Sequence, residues 1–236
     1  MTTILATDTS TAVSAVALWR DGAVLAETLS ECGRRHSERL LIAVRWAFEE
    51  ARLELRDVDA LAVSIGPGSF TGLRIGVAAW KGLALGMDRP LIAVPTLDAM
   101  TRLGLFHDVT VCPLLDARMG EVYGAIYRFA GTEREKLTPD RVCAVETLLD
   151  SLPEGPAWFL GDGAALYRER IERRAPQAHF ASGPCAVPRA SAVAEEAALL
   201  WKRGIATDPA QAAPLYLRQS QAEINRALRR REAQTA

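Results

Sequence analysis

The chain has 236 residues, 49% of them hydrophobic and 24% charged, with a formal net charge of −1. That length and balance fit one larger or two small globular domains with ample material for a core. A near-neutral charge excludes a global field that would draw in nucleic acid or an anionic membrane.

Residues 3–8, 13–19 and 23–30 read as three strands. Their connections, Asp8-Thr-Ser-Thr11 and a turn holding Asp21-Gly22, are short enough for an antiparallel meander. Residues 37–52 form a helix with Ser37 as its N-cap and an apolar stripe of Leu40, Leu41, Val44, Phe48 and Ala51. Ile42 and Trp46 fall outside the stripe, and a second apolar face calls for a second neighbour, in the same chain or another. A buried strand, 60–65, leads through a glycine-rich loop into a helix at 71–87. That helix holds Gly72, Gly76, Gly82 and Gly86, two Gly-x-x-x-Gly pairs, which points to close approach of another backbone. An apolar strand at 91–94 and a short helix opening at Pro95 complete a first unit.

A second unit begins near residue 108. Val109–Leu115 and Glu121–Phe129 read as strands around Asp116-Ala-Arg-Met-Gly120, and 130–142 as a polar loop. A helix at 145–152, a strand at 157–160 ending in Gly161-Asp162-Gly163, and a helix at 191–203 follow. In that last helix Glu195 and Glu196 sit early and Lys202 and Arg203 late, the order that suits the helix dipole. The expected division is 1–107, 108–218 with its last helix packing back on the first unit, and a polar tail at 219–236. A meander followed by helices, strong once and weak once, suggests two related halves.

The loop Gly66-Pro67-Gly68-Ser69-Phe70-Thr71-Gly72 is the first candidate site. No Gly-Lys-Ser/Thr follows it as in a P-loop, and Gly72 falls one residue late for a dinucleotide fingerprint. Two readings stay open: a backbone cradle for phosphate or a partner surface, and a tight strand-to-helix turn. Asp8, followed by Thr9, Ser10 and Thr11, has the residue types for a hydrated metal and phosphate, and equally for an Asx turn, the simpler reading. Asp116 and Asp162 share that ambiguity. His36 is followed one helical turn later by Leu40, so no His-x-x-x-His metal pair exists, and no metal site is expected. Four widely spaced cysteines, the nearest pair 31 residues apart, read as reduced thiols. The start of the chain lacks a signal-peptide pattern, and no apolar run approaches the ~20 residues of a membrane span. The arginines at 226 and 229–231 read as a solvated tail rather than an RNA-binding segment.

Four segments in order, Leu5-Ala-Thr-Asp-Thr-Ser10, Gly66 through Gly76, Asp116-Ala-Arg-Met-Gly-Glu-Val-Tyr123 and Pro214-Leu-Tyr-Leu-Arg218, resemble the TsaD/TsaB family, and specifically its TsaB (YeaZ) type, over nearly the whole chain. The resemblance implies an α/β fold of the actin, hexokinase and Hsp70-like ATPases (ribonuclease H-like), with two subdomains of mixed sheets, the second degenerate. It implies a cytoplasmic, non-catalytic subunit for N6-threonylcarbamoyladenosine synthesis in tRNAs reading codons that start with A. Its partners would be a TsaD-like catalytic subunit, a TsaE-like ATPase and, when alone, a second copy, with tRNA reached only indirectly. Leu40 in place of the second histidine of TsaD-type proteins fits a paralogue without catalysis. The resemblance places the partner surface on the first two long helices, at Leu41, Ile42, Arg45, Trp46, Gly72, Gly76 and Ala79. No cofactor is required; weak ATP or ADP binding would use Asp8, Thr9, Ser10, Asp116, Gly161, Asp162 and Gly163. An ATPase or phosphotransferase of the same superfamily is the alternative, although Thr9-Ser10-Thr11 stands where such enzymes place glycine.

Overall fold

The computed structural model describes residues 1–31, 36–104 and 106–218. Two sheets organise it. In the first, β1 (Thr3–Asp8), β2 (Val13–Arg20), β3 (Ala23–Glu31), β4 (Ala60–Gly66) and β5 (Leu91–Pro95) lie in the order β3-β2-β1-β4-β5. β1 runs antiparallel to β2 and parallel to β4, which is parallel to β5.

Side chains alternate across this sheet with the period of two that a strand imposes. Ile4 and Ala6 face one side with Ala15, Ala17, Ala60 and Ala62. Against them packs α7 (Ala190–Lys202) through Ala190, Val193, Ala194, Ala197 and Ala198. Alanine on both surfaces lets this helix lie close to the strands. Leu5, Val16, Leu18, Leu61 and Val63 face the other side. They are covered by α1 (His36–Ala51) through Leu40, Val44 and Ala47, and by α2 (Phe70–Met87) through Val77, Trp80 and Ala84. Fully buried Trp80 donates its indole N–H to the Leu5 carbonyl at 3.1 Å, so its polar atom is satisfied. The short helix α3 (Thr96–Met100) follows β5.

The second sheet repeats the plan. β6 (Thr110–Arg118), β7 (Glu121–Gly124), β10 (Arg141–Ala144), β11 (Ala157–Leu160) and β12 (Ala178–Phe180) take the order β10-β7-β6-β11-β12. Each pair has the sense of its counterpart: antiparallel for β6–β7 and β7–β10, parallel for β6–β11 and β11–β12. Its helices are shorter: α4 (Val145–Leu149), α5 (Asp162–Leu166) and α6 (Arg168–Arg174). Two added strands, β8 (Tyr127–Ala130) and β9 (Glu133–Lys136), form a hairpin beside β6.

Several expectations change. The stretch expected as loop at 130–142 holds β9 and the start of β10; β9 is solvated over most of its length, so it carries no apolar alternation. The strand expected across Glu121–Phe129 breaks at Ala125-Ile126, where Ile126 instead exchanges hydrogen bonds with Leu137 and Thr138. Asp162-Gly163, expected as the end of a strand, instead open α5, and residues 164–180, for which no element is expected, supply the rest of α5, α6 and β12. Leu41, assigned to the buried stripe, is 57% exposed; Ala47 takes the core position one turn beyond Val44. α1 already includes His36, so Ser37 lies within the helix and not at its cap position; Cys32 and the tail from 219 lie outside the described residues. Among the described residues no helix is long and apolar enough to cross a membrane.

Candidate functional site

The repeated topology places corresponding turns face to face. The turn after β1, the loop after β4, the turn after β6 and the start of α5 after β11 meet at a cleft of about 690 Å³. Its walls are Ser10, Thr11 and Ala12, the loop Gly68–Gly72, and Leu115–Arg118 with Tyr123 and Asp162.

The glycine loop is shaped by the chain's own backbone. A Cβ on Gly68 would stand 2.4 Å from the Ser10 carbonyl oxygen, and one on Gly66, at φ +117°, 2.6 Å from that of Leu215. The Ser69 N–H donates to the Ser10 carbonyl at 2.6 Å, and the Ser69 hydroxyl accepts from Gly72 N–H at 3.3 Å as the N-cap of α2. The loop therefore clamps the β1–β2 turn, with α2 starting beside the cleft.

Asp8 is buried, and its Oδ1 accepts from the N–H and the hydroxyl of Ser10 at 2.8 and 2.7 Å, which is an Asx turn. Thr9 lies beneath α2, donating its hydroxyl to the Gly72 carbonyl at 2.8 Å. Gly161, at φ +93°, and Gly163 pack on the backbone of Leu114 and Leu115. So Ser10, Asp116 and Asp162 line the cleft, whereas Asp8, Thr9, Gly161 and Gly163 stand behind its wall.

Asp116 and Asp162 are joined: the Asp116 N–H donates to Asp162 Oδ1 at 3.0 Å. Asp116 also accepts from the Arg118 N–H at 2.9 Å and pairs with its guanidinium at 3.0 Å. Asp162 lines the cleft. Burial raises its pKa, and the N–H groups of Asp116 and Gly163 oppose that rise. Hydroxyls, two carboxylates and one arginine make a polar cleft rather than a strongly cationic one. Among the described residues no group of three or more His, Cys, Asp or Glu is placed to hold a metal ion.

The helical candidates divide. Ile42 is 59% and Trp46 39% exposed, and with Leu41 and Arg45 they form a solvent-facing patch on α1. Gly72 and Gly76 are not on that surface: a Cβ would meet the Thr9 carbonyl oxygen at 2.0 Å and the Thr9 hydroxyl at 2.3 Å. Gly72 thus meets backbone and Gly76 a side chain, both of the same chain, whereas Gly82 and Gly86 meet nothing within 4 Å, so the expected backbone approach holds at Gly72 alone. Ala79 is half-buried against the core under α2.

Two features escaped the sequence reading. After α7 the chain returns as a strap. Thr207 N–H donates to the Leu91 carbonyl at 2.7 Å, and Lys81 donates to the carbonyls of Ala210 and Ala212. Leu215 N–H donates to Ile65, Tyr216 stacks on Phe70 with centroids 4.5 Å apart, and Arg218 donates to the Ala117 carbonyl and pairs with Glu121. The Pro214–Arg218 motif was the available signal. The second feature is Glu196, assigned to the dipole of α7 but in fact buried between Arg102 and Arg134. Nothing in the local sequence marks that cluster.

The family model for TsaD, tRNA N6-adenosine threonylcarbamoyltransferase, matches residues 29–226. The tRNA threonylcarbamoyladenosine biosynthesis protein TsaB of Bacillus subtilis (strain 168) is 35% identical over 225 residues, 94% of this chain and 96% of that one. A crystal structure from Pseudomonas aeruginosa, of a protein described as similar to the peptidase YeaZ, matches with a TM-score of 0.79 at 33% identity, covering 92% of this chain and 100% of the other. EutJ of Carboxydothermus hydrogenoformans, an ethanolamine utilization protein, is 13% identical with a TM-score of 0.50 over 82% of this chain and 88% of its own, and shares the fold alone. The architecture is that of the actin, hexokinase and Hsp70-like ATPases, and the chain belongs to the TsaD family, to its TsaB (YeaZ) branch, whose named members are proteins of tRNA threonylcarbamoyladenosine biosynthesis.

Proposed function

We propose that the chain is a non-catalytic subunit that binds and activates a TsaD-type catalytic subunit, for the modification of tRNAs reading codons that start with A. The observation that carries this reading is the α1 patch. Leu41, Ile42 and Trp46 are 57%, 59% and 39% exposed on one helix, and Leu85 on the adjacent α2 is 63% exposed. Clustered apolar side chains left in water on a regular helix are the mark of a partner surface. The same patch serves a second copy when the chain is alone. A TsaE-like ATPase joins the larger assembly, tRNA is met through the partner, and the cytoplasm is the compartment.

The reading is tested by reconstituting threonylcarbamoyladenosine formation from purified components. Product should fall to background when this chain is omitted. Equal product without it would sink the proposal.

A second reading, ATP hydrolysis or phosphoryl transfer, is favoured by the cleft with Asp116 and Asp162. ATP turnover by the isolated chain, lost in Asp162→Ala, would support it. The inward-turned carboxylate of Asp8 and the side chains at 9–11, where a phosphate would need open backbone, argue for the subunit role.

A further inference from the structure

The two faces of the first sheet are covered unequally. On one, the long helices α1 and α2 lie over the strands together. On the other, α7 packs on β1 and β2, and only the short α3 lies beside it. β3 is the edge strand, and α7 meets it at Glu27, which accepts from the Ser191 N–H at 2.9 Å and pairs with Arg189. Val24 and Leu29 stand opposite Trp19 and Ala15, so they share the α7 face, yet they are 50% and 40% exposed.

A groove follows from this arrangement. Ala192, Glu195, Ala198 and Lys202 fall on one side of α7 at helical spacing. They face Trp19 and Val24 across two depressions of about 390 and 290 Å³. The two share Trp19, Gly22 and Glu195, so they run on as one groove, with Leu103 at one end and Trp201 at the other. From Ala192 to Lys202 it follows α7 for about 15 Å. Its charges are unbalanced. Arg189 is taken by Glu27 and Arg102 by Glu196. Asp21 and Lys202 both line the far depression and offset each other in net charge. Glu195 is left without a hydrogen-bond or ion-pair partner among the described residues. Neighbouring protein displaces part of its water and raises its pKa.

We propose that this groove seats an amphipathic helix of another protein, about three turns long, with its apolar stripe over Val24, Trp19 and Ala198 and a lysine or arginine against Glu195. Such a helix completes a two-helix layer like that on the opposite face. The small side chains of Ala192 and Ala198 let it approach α7 closely. A cation at Glu195 supplies the partner that this carboxylate lacks. An added strand is the poorer occupant: β3 shifts register against β2 where Leu25 stands, and a bulged edge is a poor template for pairing. The groove lies across the sheet from the α1 patch, so both surfaces can be occupied at once. The proposal therefore stands whether or not α1 binds a catalytic subunit.

The test uses the full chain and two labelled synthetic peptides of about three helical turns. Both carry leucine and alanine on one face; they differ only in having arginine or glutamate beside it. Fluorescence anisotropy should show the arginine peptide binding the parent about tenfold more tightly than the glutamate peptide. Glu195→Lys should reverse that order, and Val24→Ser should weaken both peptides several-fold. Both positions are exposed, so the circular dichroism should not change. Glu195→Gln, which should erase the preference, serves if Glu195→Lys does not fold. Equal binding of the two peptides to the parent overturns the proposal, as does an order that charge reversal leaves unchanged. Loss of binding in Trp46→Ala overturns it too, by placing the peptide on α1. Self-association of the parent that Glu195→Lys abolishes would make a second copy the occupant and overturn the assignment to another protein.

Discussion

Thr9 occupies the space that a side chain on Gly72 would need. The Thr9 carbonyl oxygen stands 2.0 Å from the place of a Gly72 Cβ, and the Thr9 hydroxyl donates to the Gly72 carbonyl at 2.8 Å. The first turn of α2 is thereby seated on the β1–β2 turn. Gly72→Ala should lower stability by about 2–4 kcal/mol, because backbone rather than a flexible side chain blocks the methyl group. Gly82, in the same helix, has nothing within 4 Å of the place where a methyl group would stand. Gly82→Ala should raise stability by roughly 0.5–1 kcal/mol through helix propensity alone. Urea midpoints of the two variants check this, and equal shifts of the same sign would refute the packing account.

The α1 patch gives the second prediction. Trp46→Ala should weaken binding to a TsaD-type subunit by roughly 10–100-fold, as expected of an aromatic anchor at an interface. Ile42→Asp should weaken it at least as much, since binding would bury a carboxylate. Both side chains are exposed, so the urea midpoint should move little. Titration calorimetry measures the affinity, and unchanged binding by folded variants removes the patch from the interface.

What was readable in the sequence followed the physics of each element. β1 and β2 are buried on both faces and bounded by turns that hold Asp8 and Asp21-Gly22, and the Gly66–Gly72 loop punctuates a strand and a helix; such signals are local. The four α2 glycines suggested an approaching backbone, but only Gly72 meets one; Gly76 meets a side chain, and Gly82 and Gly86 meet nothing within 4 Å. Gly72 and Gly76 face Thr9, more than sixty positions earlier in the chain, and no periodicity within a helix reports such a contact. β9 was illegible because a solvated hairpin needs no apolar alternation. Glu196 was misread because an early helical glutamate suits a dipole equally well whether it faces water or two arginines.

Asp162 sets a pH dependence of unusual sign. Burial raises its pKa above the ordinary aspartate value of 3.8, so the folded chain holds this proton more tightly than the unfolded one. Its contribution to stability is therefore greatest below that value and is lost as pH rises through the folded pKa. Asp162→Asn keeps an acceptor for the Asp116 N–H and carries no charge. The variant should melt above the parent at pH 7, and the gap should close as the pH is lowered below 4. Thermal melts at both pH values decide it: a variant less stable than the parent at pH 7 would show that the carboxylate's hydrogen bonds outweigh its burial.

Tyr216 anchors the strap in two separable ways. Its ring lies 4.5 Å from that of Phe70, and its hydroxyl accepts from Arg74 Nε at 2.9 Å, while the Arg74 guanidinium covers Phe70 at 3.9 Å. Tyr216→Phe removes only the hydrogen bond and should cost about 0.5 kcal/mol at this half-exposed position. Tyr216→Ala also removes the ring and should cost about 1–1.5 kcal/mol. Loss of the ring should free the end of the strap before the rest of the fold loosens, since its other holds are backbone hydrogen bonds, the Lys81 ammonium at Ala210 and Ala212, and the arginine at 218. Limited trypsin digestion should then cut Tyr216→Ala near Arg218 several-fold faster than Tyr216→Phe, with cleavage elsewhere unchanged. Identical rates for the two variants would show that the aromatic stack does not hold the strap in place.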